Sequence, residues 1–195
     1  MHSLGQNILL TGNRAPTQLL PATAAPSLAI SNSNLTVSRA NFAGWAFVRA
    51  SNPRSSGKWY FEVRIDQIFD GVYGLVNPSI FPDHKNWYLG SYPGSYGIED
   101  ISGRAYPGLY GAGSGIFAAG DIVQVAVDLD SGRMWFGRNN NWVGNPSAGS
   151  GMTFTGVFGP MVPAVGLYCN APCAATCRFS SGFSYAAPVS FRNWG

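Results

Sequence analysis

The chain has 195 residues, of which only 11% are charged while Gly 25, Pro 13 and 14% aromatic residues stand high. That length allows one domain with a sizeable core, and so little charge among so many turn formers excludes a fold built on solvated amphipathic helices. The net charge of +3 comes from scattered arginines, Lys58 and Lys85 being the only lysines; with no basic run to track a phosphate backbone, no nucleic-acid partner is expected, only mild steering towards an acidic surface polymer.

Residues 1–29 carry Pro16, Pro21 and Pro26 among alanines, threonines and leucines without a sustained period. They read as an extended N-terminal arm for attachment or oligomerisation, and residues 30–195 as the domain. Leu19-Leu20 and Leu28-Ala29-Ile30 are apolar enough to pack, either on their own domain or on a neighbouring subunit. Ile8-Leu9-Leu10 is too short for the apolar part of an export signal. No apolar run approaches the roughly 18 residues that span a bilayer, so no membrane insertion is expected. Asn34-Leu35-Thr36 is a glycosylation sequon, which without an export signal reads as a chance match.

Periodic structure begins at Leu35-Thr36-Val37 and continues through Trp45-Ala46-Phe47-Val48. After a loop at residues 52–57, Lys58 to Ile65 alternates Trp59, Phe61, Val63 and Ile65 against Tyr60, Glu62 and Arg64, a period of two that marks a strand. Val72 to Val76 is another strand, closed by Asn77-Pro78.

The stretch from Trp87 to Gly115 repeats Y-P-G-x-Y-G, at Tyr92 to Gly97 and at Tyr106 to Gly111. Pro-Gly suits a type II turn, with Gly taking the positive φ. Tyr, Ser and Gly together are also the composition of evolved binding loops, where tyrosine gives much contact area at low entropy cost. Trp87, Tyr88, Tyr92, Tyr106 and Tyr110, with Arg104 between the two turns, are therefore the expected ligand surface, and Trp142 is added to it. The bland alternative is that Tyr96 and Tyr106 are strand residues packed in the core.

Gly120 to Gly144 is the stretch around which the chain is organised. Val123, Val125, Val127 and Leu129 fall on one side of a strand, with Gln124 and Asp128 on the other. Asp130-Ser131-Gly132 supplies a hairpin turn. Arg133 to Arg138 alternates again, Met134 and Phe136 against Trp135, before a second turn at Asn139–Asn141 and a short run at Trp142-Val143. All three cysteines lie in LYCNAPCAATCRF. A hairpin centred near Cys173 places that residue at a loop tip and brings Cys169 opposite Cys177, so both free thiols and a Cys169–Cys177 bridge stay open. Neither His2 nor His84 stands at a metal-ligand spacing, and no metal is expected.

These segments together resemble the SPRY (B30.2-like) family. Ser56-Gly57-Lys58-Trp59-Tyr60-Phe61-Glu62-Val63 is similar to its S-G-K-aromatic-Y-x-E-hydrophobic strand. Then follow in order Val72-Tyr73-Gly74-Leu75, Ser95-Tyr96-Gly97, Gly120-Asp121-Ile122-Val123, the hairpin Asp128–Gly132, Phe136 with Asn139, Pro163-Ala164-Val165 and Phe179–Tyr185. Arg178-Phe179-Ser180 departs from the usual N-F-G, and no glycine follows Asn139. The resemblance covers roughly residues 35–188. It implies an all-β, two-sheet antiparallel sandwich of concanavalin-like, jelly-roll type, with ligand loops at one rim, no catalytic residue and no cofactor.

Other chemistry finds little support. His84 sits alone in a polar loop, without the nucleophile and acid of a triad. Gly111-Ala112-Gly113-Ser114-Gly115 has the wrong spacing for a nucleophile elbow. Asp128 and Asp130 share a strand face, as the acid and nucleophile of a glycoside hydrolase do, which keeps that activity as a minor alternative. The leading expectation is a receptor-binding protein of a phage tail or baseplate, a virion protein assembled in the bacterial cytoplasm. It contacts a host glycan or protein through its rim loops, and other virion proteins through its arm, as a homo-oligomer. The alternatives are a structural decoration protein of a virion and a cytoplasmic adaptor that binds a peptide.

Overall fold

A computed structural model of the chain describes residues 14–40, 42–80, 87–108 and 115–195. The first 13 residues of the expected arm, His84, Tyr110 and residues 111–114 lie outside the described residues. The strands described are β1 (Ala29–Ser31), β2 (Thr36–Arg39), β3 (Phe42–Arg49), β4 (Lys58–Gln67), β5 (Gly71–Val76), β6 (Ser95–Glu99) and β7 (Ala105–Tyr106). They continue with β8 (Ile122–Asp128), β9 (Arg133–Arg138), β10 (Asn141–Trp142), β11 (Phe154–Thr155), β12 (Val162–Cys169), β13 (Cys173–Arg178) and β14 (Arg192–Asn193).

Among the described residues these form two sheets. One has nine strands, running β1-β2-β13-β4-β8-β9-β10 with β11 on β9 and β14 on β4; the other has five, running β3-β12-β5-β6-β7. The pairings are antiparallel except for β14, which lies parallel to β4. The one described helix is a 3-10 turn at Pro21–Thr23. The fold is thus the all-β sandwich expected, and no described helix is long and apolar enough to cross a membrane.

The alternation seen in the sequence decides what faces inward. Phe61, Val63, Ile65, Val123, Val125, Val127, Met134 and Phe136 of the nine-stranded sheet meet Val48, Tyr73, Leu75, Ile98, Val165 and Leu167 of the five-stranded sheet. Gly132 takes φ 66° in the β8–β9 hairpin, and Asn139 and Asn140 take φ 49° and 66° in the next turn, where asparagine tolerates the left-handed region that glycine ordinarily fills.

The opposite face of β4 and β8 is not the solvated face that period-two alternation suggests. Tyr60, Glu62 and Gln124 are all fully buried, because residues 183–191 fold back over them and close a second core of Tyr60, Ala126, Trp135 and Phe191. These three side chains are matched to partners, as burial requires. Glu62 accepts from the Tyr60 hydroxyl at 2.7 Å, from the backbone N–H groups of Ser184 and Tyr185 at 2.8 and 2.9 Å, and from Arg178 at 3.1 Å. Gln124 donates to the Tyr60 hydroxyl and accepts from the Asn140 N–H.

The described part of the arm lies on its own domain. Leu19 is fully buried and bridges to Ala50, and the N–H groups of Leu20 and Ala25 bond the carbonyls of Arg49 and Phe47 on the outer edge of β3. The cysteine hairpin differs from the one expected. The turn is Asn170–Pro172, so Cys173 is not at a loop tip. It opens β13, is 1% exposed, and is joined by a disulfide to Cys169 at the end of β12, with Cα atoms 6.1 Å apart. Cys177, two strand repeats further on, is a buried free thiol, and burial pushes its pKa up.

Candidate functional site

Strand parity puts Trp45 and Phe47 of β3, Tyr168, Gly166 and Ala164 of β12, Val72, Gly74 and Val76 of β5, Gly97 of β6 and Tyr106 of β7 on the outer face of the five-stranded sheet. The register sets Tyr168 opposite Trp45, Gly166 opposite Phe47 and Val72, and Gly97 opposite both Gly74 and Tyr106. The glycines leave a trough across the sheet. A Cβ at Gly97 would stand 2.9 Å from the Leu89 Cβ, and one at Gly166 3.2 Å from the Leu89 Cδ1. Leu89, fully buried, fills that trough and seats the segment that carries the aromatic residues.

Around Leu89 the half-buried Trp87, Tyr88 and Tyr92 pack on Phe47, Val72, Val76, Val162 and Ala164. Trp87 and Tyr92 lie 4.5 Å apart between ring centres, Tyr88 and Tyr106 5.4 Å, Tyr88 and Trp45 5.2 Å, and Trp45 and Tyr168 5.6 Å. The separations are those of favourable tilted and edge-on aromatic pairs. The result is a row of four rings, Tyr106, Tyr88, Trp45 and Tyr168, with the Trp87–Tyr92 pair packed on the same face of the sheet.

The two Pro-Gly turns meet beside this row. Gly94 and Gly108 have φ of 75° and 76°, and the Tyr106–Pro107 bond is cis. Gly90 lies so close to Tyr106 that a Cβ would come within 2.2 Å of the tyrosine Cβ, so only glycine permits the contact. Ser95 locks the first turn by donating to the Tyr92 carbonyl at 2.6 Å and accepting from the Gly90 N–H at 2.7 Å. An open cleft of about 460 Å³ remains, lined by Gly90 to Tyr96 and by Pro107.

The expected site residues therefore divide. Trp87, Tyr88, Tyr92 and Tyr106 come together. Arg104 sits beside them, bonded to the Tyr106 hydroxyl, whose pKa rises through burial; Tyr106 also reaches Glu99 at 3.4 Å. Trp142 is on the other side of the sandwich, packed over Gly137 and Tyr60 on the outer face of the nine-stranded sheet, and does not join the row. Tyr96 points inward, edge-on to Phe154. Trp45 and Tyr168 belong to the row and were not anticipated. Their strand parity, opposite to that of Val48 and Leu167, is the signal that finds them.

A carboxylate pocket borders the row at the far end of β6. Asp100 accepts from the Gly71 N–H at 2.9 Å and from the Tyr73 hydroxyl at 3.0 Å, and burial raises its pKa against those bonds. Asp70 is pushed up to about 7 by burial, then by Glu99 and Asp100. Among the described residues no group of three His, Cys, Asp or Glu is placed to hold a metal. Asp128 and Asp130 are occupied by turn chemistry. Asp128 caps the hairpin N–H groups of Asp130 and Ser131 and pairs with Lys58 at 3.5 Å, and Asp130 accepts from the Gly57 N–H. Neither is poised for glycoside hydrolysis.

Comparison with known proteins gives the same fold. A family model described as the SPRY domain matches residues 58–181. A curated relative, the dual specificity protein kinase splA of Dictyostelium discoideum, is 32% identical over 141 residues, which is 58% of this chain and 6% of the kinase. The chain thus spans a small fraction of that relative's length. The crystal structure of the SPRY domain of human HERC1 superposes with a TM-score of 0.65 at 16% identity, covering 82% of this chain and 96% of that one. A crystal structure of a human SPRY domain gives a TM-score of 0.59 at 21% identity, with 80% and 98% covered.

Proposed function

Since the chain belongs to the SPRY domain family, whose members are in general protein-interaction modules without catalytic activity, we propose that it is an adaptor that takes a short peptide segment of a partner protein. The observation that carries this reading is the group of Trp87, Tyr88, Tyr92 and Tyr106, half-buried beside an open cleft whose walls are fixed by glycines and serine hydrogen bonds. Rings already held by packing lose little freedom on binding, and rigid aromatic anchors are what dominate peptide and protein interfaces. Trp45 extends the surface in this reading, and Arg104 with Glu99 supplies a charged end. The receptor-binding role on a virion, with a glycan partner and an arm for other virion proteins, has no observation that favours it over a peptide.

The test is a selection of peptides from a random display library on the full chain, followed by affinity measurements by fluorescence polarisation. Tyr92→Ala and Tyr88→Ala are expected to weaken binding by roughly 2 kcal/mol, the loss typical of an anchor residue, in variants that stay folded although the lost ring packing lowers their unfolding midpoints. Selected peptides that bind both variants as they bind the parent would place the interaction elsewhere.

A further inference from the structure

The outer face of the nine-stranded sheet holds a second open cleft, across the sandwich from the aromatic row. One wall is Asn140, Trp142 and residues 144–147, the other is residues 186–189, and the space between is about 420 Å³. The walls come from distant parts of the chain and are latched together by a hydrogen bond from the Val189 N–H to the Ser147 hydroxyl at 3.0 Å. Asn145 and Ser150 pair through both their backbone groups, at 2.9 and 3.1 Å, and the Asn145 side chain caps the Ala148 N–H at 3.0 Å. The Trp142 ring is laid on β9 at Gly137, where a Cβ would meet its ring atoms at 3.0 and 3.1 Å. Behind it stands Tyr60, 6.2 Å away between ring centres.

The lining has a distinct chemistry. No charged side chain takes part in it. Asn140 uses its backbone N–H on Gln124 at 2.6 Å, but its carboxamide, and the indole N–H of Trp142, make no hydrogen bond among the described residues. A preformed cleft with an aromatic floor and a few convergent polar groups is the usual form of a small-ligand site.

We infer that this cleft binds an uncharged sugar ring, stacked on Trp142 and hydrogen-bonded by Asn140. An apolar segment buried here leaves the indole N–H and the carboxamide without partners, which opposes its binding. A charged ligand loses water and finds no opposite charge in return. A neutral ring with hydroxyls at its rim and C–H groups on its face satisfies both constraints.

The test uses the full chain and saturation-transfer NMR with maltotriose, cellotriose and tri-N-acetylchitotriose as probes, and sialyllactose as a charged comparison. At least one neutral trisaccharide is expected to bind with Kd of about 1 mM or tighter. Trp142→Ala and Asn140→Gly are each expected to weaken it by at least about tenfold, and Tyr92→Ala to leave it unchanged. Asn140→Gly removes the carboxamide while keeping a backbone at φ 66° that glycine adopts freely, so it carries the test even if the tryptophan variant folds poorly. Absence of transfer from all three neutral probes at about 10 mM would overturn the inference. Full binding by Asn140→Gly, loss of binding in Tyr92→Ala, or equal binding of sialyllactose would do the same.

Discussion

Glu62 shows how one buried carboxylate organises the C-terminal stretch. It is fully buried, and its two oxygens receive four bonds that tie β4 to Ser184, Tyr185 and Arg178. Glu62→Ala leaves those donors facing nothing, and breaking a buried pair costs about 3–5 kcal/mol. Arg178→Ala is milder, about 1–2 kcal/mol, because Glu62 keeps three of its donors. Urea unfolding midpoints for the two variants measure the difference, and equal shifts would contradict it. Asp70 makes a different prediction. Its pKa is about 7 in the fold against an ordinary 3.8. Between those pH values the native state holds a proton that the unfolded chain has already released. Stability therefore falls as pH rises through that window and levels off above it. Asp100 is shifted in the same direction, so Asp70→Asn removes part of the slope and not all of it. Melting temperatures from pH 4.5 to 7.5, falling less steeply in Asp70→Asn than in the parent, are the expected result; identical slopes would assign the effect elsewhere.

Among elements, the link between β12 and β13 matters most, because those strands belong to different sheets and Asn170–Pro172 is the only chain between them. The Cys169–Cys173 disulfide closes that short crossing at the edge of the core. A loop of this size is worth about 2 kcal/mol in the chain-entropy account, and Cys173→Ser also buries a hydroxyl. The variant is expected to lose about 2 kcal/mol, and reductant to lower the melting temperature of the parent but not of the variant; a loss below about 0.5 kcal/mol, the ordinary range of a surface change, would show that the bridge is idle. The strands themselves were plain from alternation and turn residues, from Lys58 to Ile65 and from Ile122 to Arg138. Two things were not. Alternation of Tyr60, Glu62 and Gln124 against the core marks a second face without saying whether water or chain covers it. The row of rings is legible only as two Y-P-G repeats, since the trough that seats Leu89 depends on Gly97 of β6 and Gly166 of β12, on the two strands that flank β5. The side of the sandwich that carries Trp142 is hidden for the same reason. Local sequence shows that a tryptophan follows a turn, and only sheet order shows which side of the sandwich it is on.

At the scale of the whole molecule, residues 14–28 behave as part of the domain. The five-stranded sheet ends at β3, an edge strand whose unpaired carbonyls invite another chain. Leu20 and Ala25 donate to two of those carbonyls, at 2.9 and 3.2 Å, and Gln18 accepts from the Ser51 N–H at 2.8 Å just beyond the strand. Thr17, Leu19, Thr23 and Ala25 are buried in making this cover, and Leu19 enters the main core beside Val48 and Phe61. Removing a fully buried leucine side chain typically costs about 2–5 kcal/mol. Leu19→Ala is therefore expected to destabilise the isolated domain by about 3 kcal/mol, a loss that an arm serving only a partner would not produce. Deleting residues 1–28 takes away the cover as well as the leucine. It should yield a chain that melts earlier and self-associates through the bared edge of β3. Sedimentation velocity and thermal melts of the parent, Leu19→Ala and the deletion decide between the two roles. A deletion variant that stays monomeric and melts with the parent would return these residues to the role of a free arm.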